Sequence, residues 1–194
     1  MKRAFVLGNG RSRLAINCEK LKKYGTVYGC NALYRDFLPD HLIAVDVKMV
    51  LELIENNVLD ATRVYTNFNN RFKDIAKLNV FNPSKGWSSG PTALWLASTH
   101  VYDEIYILGF DYQGLEQNKK VNNIYADTPN YKKSHEPATF YGNWLRQTEA
   151  VVKEFSGIKY YRVGTNTMFD PNIRTENLIN INYNTFVERI NYQN

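Results

Sequence analysis

The sequence predicts an α/β fold, a mostly parallel sheet with helices on both faces. Three observations carry that prediction. Apolar runs such as Ala4-Phe5-Val6-Leu7 and Ile105-Tyr106-Ile107-Leu108 lack polar alternation, as strands buried on both faces require. These runs alternate along the chain with segments of helical pattern. Small polar residues follow the main runs, at the strand ends where such folds bind ligands.

At 194 residues the chain suits one domain with a real core, and no repeat or linker divides it. Its 44% hydrophobic and 22% charged residues are ordinary for a globular protein. A balance of 24 basic against 19 acidic residues gives +5, dispersed in pairs such as Lys22-Lys23 and Lys119-Lys120. That bias suits an anionic small ligand and is too scattered for nucleic acid. Cys18 and Cys30 have no metal-ligand spacing and read as reduced thiols of a cytoplasmic protein. No apolar run approaches the roughly 20 residues of a membrane span.

The first strand, residues 3–7, runs into Gly8-Asn9-Gly10-Arg11-Ser12. Two glycines there let the backbone turn sharply and approach a ligand closely. On one reading Ser12 caps a helix over residues 13–23, whose free N–H groups meet a phosphate. On the other, the segment is a turn with no ligand. Leu14, Cys18 and Leu21 are the expected buried stripe of that helix, and Gly25 its end.

A second strand, residues 26–30, leads into Asn31, and a third, residues 42–45, ends at Asp46. An amphipathic helix over residues 47–57, a strand over 63–66 and a short strand over 78–81 follow. Ser88-Ser89-Gly90-Pro91 signals the start of a helix apolar nearly all round, hence central. The fifth main strand, residues 104–108, ends in Gly109-Phe110-Asp111-Tyr112. Residues 113–137 are polar and without period, as in a lid or binding loop, or a disordered segment. A long helix over 138–155 and a strand over 159–163 come next. From Thr165 the chain reads as a polar tail (about 168–194 in domain terms) with one helix near residues 186–190.

Several of these residues have two readings. Ser88, Ser89 and Gly90 offer hydroxyls and backbone N–H groups to an anion, or simply cap their helix. Asp111 is placed to hold a ribose hydroxyl or a metal, or to cap its own loop. Asn31 suits a nucleobase or ribose, or an Asx-turn. His135 is the only one of the three histidines within the polar loop, and its unperturbed pKa near 6.5 suits a general base. No nucleophile elbow, HExxH, paired CxxC or Walker motif is present.

With those residues in view, the chain resembles the bacterial sialyltransferases of the Campylobacter type, glycosyltransferase family 42. The matching pieces, in order, are Val6-Leu7-Gly8-Asn9-Gly10-Arg11-Ser12, Cys30-Asn31-Ala32-Leu33-Tyr34, Ser88-Ser89-Gly90 and residues 103–112. Ile124-Tyr125-Ala126-Asp127, His135 and Asn166-Thr167 follow, over most of residues 3–167.

The resemblance implies a single Rossmann-like, GT-A-like domain that uses a nucleotide sugar by an inverting, metal-independent mechanism without a cofactor. His135 is then the base on an acceptor hydroxyl, and Tyr112 and Tyr125 stabilise the departing phosphate of CMP. Gly8, Asn9, Gly10, Ser12, Asn31, Asp46, Ser88, Ser89, Gly90, Gly109, Phe110 and Asp111 hold nucleotide and donor. The partners implied are a nucleotide sugar, a glycan or other hydroxyl acceptor, and further copies of the chain, although no interface signature is visible.

Arg11 stands where the family has proline, the family's arginine just ahead of the Ser-Gly step is missing with Lys85 and Gly86 nearby instead, and Asp46 stands where asparagine is expected. An unpaired carboxylate at Asp46 repels an anionic donor sugar. The stretch Pro39-Asp40-His41-Leu42-Ile43-Ala44-Val45-Asp46 also resembles motility-associated-factor glycosyltransferases and archaeal pterin diphosphokinase-like proteins. There the aspartate belongs to the site. That likeness opens a second reading, in which Asp46 and Asp111 hold Mg²⁺ against a nucleoside triphosphate. A third is a nucleotide-binding module without chemistry.

Overall fold

Unbroken apolar runs have no polar edge to present to water, so they pair side by side under helices. In the computed structural model, which describes residues 1–166 and 169–193, eight strands form one sheet. They are β1 (Arg3–Leu7), β2 (Thr26–Cys30), β3 (His41–Ile43), β4 (Arg63–Asn67), β5 (Leu78–Phe81), β6 (Glu104–Leu108), β7 (Lys159–Gly164) and β8 (Leu178–Asn182). The order across the sheet is β5-β4-β3-β2-β1-β6-β7-β8, with neighbours parallel throughout. The helices are α1 (Val47–Glu55), α2 (Ser89–Thr99), α3 (Gly142–Glu154) and α4 (Tyr183–Ile190). This is the expected α/β, Rossmann-like fold.

The period of two along each strand divides the core into two layers. Phe5 and Leu7 of β1 pack with Leu21, Met49, Val50, Phe186 and Ile190, under α1 and α4. Ala4 and Val6 face the other way, into Ala93, Leu94 and Ala97 of α2 and Val151 and Val152 of α3. Helix α2 is buried nearly all round against β1, β2 and β3, as its composition required.

Residues 13–23 do not form the expected α-helix. Two short 3-10 turns, Arg11–Ala15 and Cys18–Lys23, take its place. Arg13 is drawn inward, its Nε donating to Gly8 O at 2.9 Å, while Leu14 is 59% exposed. The stripe of Leu14, Cys18 and Leu21 is thereby broken. Asn17 restarts the chain as a cap, accepting from Glu19 N at 3.1 Å.

The expected C-terminal tail also holds more structure than its polarity suggested. β8 pairs with β7, and Asn182 then caps α4 by accepting from Thr185 N at 2.9 Å. Thr167 of the matched Asn166-Thr167 pair lies outside the described residues.

The link from α2 to β6 passes through Val101, whose φ is +55°. A β-branched residue in the left-handed region is strained, and this one is 75% exposed with little packing to offset it. Val101→Gly is expected to raise stability by about 1 kcal/mol, since relief of that strain exceeds the added chain entropy. Urea unfolding of the pair of proteins tests it, and an unchanged or lower midpoint contradicts it.

Candidate functional site

The strand order reverses direction between β1 and β6, so a crevice opens beyond their carboxyl ends. The two loops that leave there are tied together: Gly8 N donates to Leu108 O at 2.8 Å and Gly10 N to Gly109 O at 2.9 Å. Gly109 has φ +71°, and a Cβ on it would lie 2.7 Å from Gly8 O. Only glycine allows that approach.

Between these loops, the end of β3 and the start of α2 lies a cleft of about 500 Å³. Of the residues expected in a site, Gly8, Asn9, Gly10, Asn31, Asp46 and Ser88 line it. Ser89, Gly90, Gly109, Phe110, Asp111 and Tyr112 line it as well. Tips from β1, β2, β3, β6 and α2 therefore meet in one place.

Their environments differ. Asn9 is 9% exposed; its Nδ2 donates to Cys30 O at 3.4 Å and the Tyr131 hydroxyl at 3.3 Å. That leaves Asn9 Oδ1 buried without a partner, and Asn31 Oδ1 is in the same condition. A buried acceptor without a donor is costly, and both of these belong to residues that line the cleft. Asn31 also holds φ +54°, a conformation that asparagine tolerates better than most residues. Burial pushes the neighbouring Cys30 thiol up to about 12, so it stays neutral.

Other expected binding groups are occupied. Asp111 is buried and accepts from Ser12 N at 3.1 Å, Asn122 Nδ2 at 2.9 Å and the Ser12 hydroxyl. Ser12 is thus a clamp on Asp111, neither lining the cleft nor capping a helix. Arg11 N is likewise taken by Asn122 Oδ1 at 3.0 Å, so this loop presents no free helix N-terminus to a phosphate. Ser89 Oγ accepts from Val45 N at 3.1 Å, fixing the end of β3 to α2.

The helix start that reaches the cleft is that of α2. Ser88 is its N-cap residue but makes no side-chain cap, and Ser88, Ser89 and Gly90 all line the cleft. Behind the β6 loop lies Arg162, 1% exposed, which donates to Phe110 O at 2.8 Å and Asp111 O at 3.2 Å. Its Nη1 donates to Phe169 O at 2.8 Å, so its short contacts are to carbonyls rather than a carboxylate. Burial lowers its pKa, and its charge favours an anion across the loop.

The three residues expected to be catalytic stand in different places, and one of them lines the cleft. Tyr112 lines the cleft, but its hydroxyl donates to Thr148 Oγ1 of α3 at 2.7 Å. Tyr125 does not line it: its hydroxyl donates to Asp36 at 2.6 Å and accepts from Arg13 at 2.7 Å, a brace beneath the glycine loop. His135 is exposed and outside the cleft lining, beside the Asp127–Ser134 turn.

Residues 113–137 hold no helix or regular strand, yet they form a stitched wall. Ile124 N donates to Asn9 O at 2.9 Å, and Arg35 reaches Thr128 Oγ1 at 2.7 Å and Pro129 O at 3.1 Å. This wall delivers Tyr131 and Lys132, two cleft residues that the sequence did not single out. The Tyr131 hydroxyl accepts from Asn9 Nδ2 and from Ala32 N at 3.2 Å, so its own proton remains to be donated. Trp87 and Trp144 add aromatic surface to the lining.

Comparison with protein-family models, with curated proteins and with solved structures returned no match.

Proposed function

We propose that this cleft binds a nucleotide sugar and that the protein transfers the sugar to an acceptor hydroxyl. The observation that carries the reading is the pair of buried, unpartnered amide oxygens of Asn9 and Asn31 beside the switch-point crevice. Such acceptors suit the amino and hydroxyl donors of a nucleoside. The α2 N-terminus, with Arg162 behind the β6 loop, suits the phosphate. Tyr131 replaces Tyr112 and Tyr125 as the neutral donor to the leaving group. Asp46 makes no ion pair among the described residues, which favours a donor whose sugar carries no carboxylate.

The Mg²⁺-dependent diphosphokinase-like reading has less support. It needs Asp46 and Asp111 to share an ion, and Asp111 already accepts three hydrogen bonds from Ser12 and Asn122.

Thermal unfolding with CMP, UMP, GMP and AMP in the absence of metal tests the binding step. A site-specific nucleotide at 100 times its dissociation constant is expected to add about 2.7 kcal/mol. No shift with any of them overturns the reading.

A further inference from the structure

We propose that Asp46 is the catalytic base, taking the proton from the acceptor hydroxyl as the sugar is transferred. The assignment rests on the transferase reading, and it follows from which cleft groups can still accept a proton.

The base must reach the cleft, and His135 does not line it. Asp111 lines it with its carboxylate already engaged by Ser12 and Asn122. The hydroxyl of Tyr131 accepts from Asn9 and Ala32, which leaves it a donor. Tyr112 is bonded to Thr148, Cys30 is a buried neutral thiol, and Lys132 is a cation with no lone pair. Tyr141 presents a phenolic hydroxyl, a hydrogen-bond donor and weak acceptor rather than a base. Asp46 is the remaining carboxylate of the lining, and no described side chain bonds or pairs with it.

Its local structure supports the same role. Asp46 is the N-cap residue of α1, with φ −81° and ψ 129°, where aspartate ordinarily accepts a helix N–H and adds about 1 kcal/mol. It makes no such bond here. The backbone leading into it is held at two successive residues: Val45 N by Ser89 Oγ at 3.1 Å, and Ala44 N by Tyr65 O at 3.0 Å. A free carboxylate on a fixed stem at the wall of a binding cleft is what general-base catalysis needs.

In the step proposed, the acceptor oxygen forms a bond to the anomeric carbon as the bond from that carbon to the phosphate oxygen breaks. The electron pair leaves with the phosphate, which departs as part of the nucleotide. The hydroxyl proton passes to an Asp46 carboxylate oxygen and then to water. Carboxylate bases serve the same attack in inverting glycosidases.

Water can stand in for the acceptor, so nucleotide release from CMP-, UDP- and GDP-activated sugars measures the step in the full chain. Asp46→Asn is expected to lower that rate by about 10²–10⁴-fold while leaving the thermal shift with free nucleotide unchanged. Asp46→Glu is expected to restore part of the rate. His135→Ala is expected to match the wild type. A near-wild-type rate in Asp46→Asn, or an equally large loss in His135→Ala, overturns the base assignment and leaves the transferase reading standing. A loss in Asp46→Asn confined to KM and the thermal shift makes Asp46 a binding residue and also overturns it. If the wild type releases nucleotide from none of these donors, both fall together.

Discussion

Gly109→Ala is expected to destabilise the protein by about 3 kcal/mol and to abolish nucleotide binding. Two effects add at this position. Alanine at φ +71° enters the left-handed region, at about 1 kcal/mol. Its Cβ also meets Gly8 O at 2.7 Å and Gly10 O at 3.2 Å, backbone atoms that no rotamer change can move aside. The β1 and β6 loops must then separate, which adds about 2 kcal/mol as overpacking does elsewhere and displaces Asn9 from the cleft. Gly86→Ala separates the two effects. That glycine has φ +67° but nothing within 4 Å of an added Cβ, so it is expected to lose only about 1 kcal/mol. Urea midpoints and nucleotide titrations of both variants provide the check. Equal losses in the two show that the interlock of the loops is not what holds the site.

The strands were legible because burial on both faces leaves a local signature, an apolar run that needs no knowledge of its neighbours. β8 has no such run. Leu178-Ile179-Asn180-Ile181-Asn182 sits at the sheet edge with Ile179 half exposed, and asparagine within it reads locally as loop. The 3-10 turns escaped for a related reason. What draws Arg13 inward is Tyr125, Asp36 and Gly8 O, and two of these lie far along the chain.

The site was legible as a place more than as a set of roles. A small polar residue at a strand end can bind a ligand or bind the next loop, and spacing does not distinguish the two. Asp111 and Ser12 brace each other, with Asn122 as the third member, whereas Asn9 and Asn31 keep free acceptors. The deciding partners come from residues 113–137, a stretch with no periodicity to place it. Tyr131 was hidden in that stretch. His135 was singled out there for its chemistry, which says nothing about where its turn would lie.

Stability is expected to fall by up to about 3 kcal/mol between pH 6.5 and pH 4, for reasons unconnected with the cleft. At the start of β3, His41 is 6% exposed and stacks on Tyr28 of β2 with ring centroids 4.5 Å apart. Its Nδ1 lies 3.2 Å from the Tyr65 hydroxyl of β4, and its ring is 5.3 Å from His100, just beyond α2. Burial first, then the nearby His100 and Arg63, lowers the His41 pKa to about 4, against the weaker opposing pull of Asp40. His100 is lowered too, by burial and by Lys2 and Arg63. A histidine depressed in the folded state binds its proton more readily once unfolded. Its stabilising contribution is therefore complete above pH 6.5 and is lost as pH falls toward 4. Glu52 and Glu104 are shifted down by hydrogen-bonded partners that outweigh their burial, and their contribution is lost only as pH falls through the ordinary carboxylate value and below, at the acid end of that window, so the histidines dominate the rest of it. Urea unfolding at half-unit intervals of pH measures the slope. His41→Phe keeps the ring on Tyr28 and removes the titrating group, so the slope is expected to flatten to the remainder owed to His100. An unaltered slope in that variant assigns the acid sensitivity to other groups.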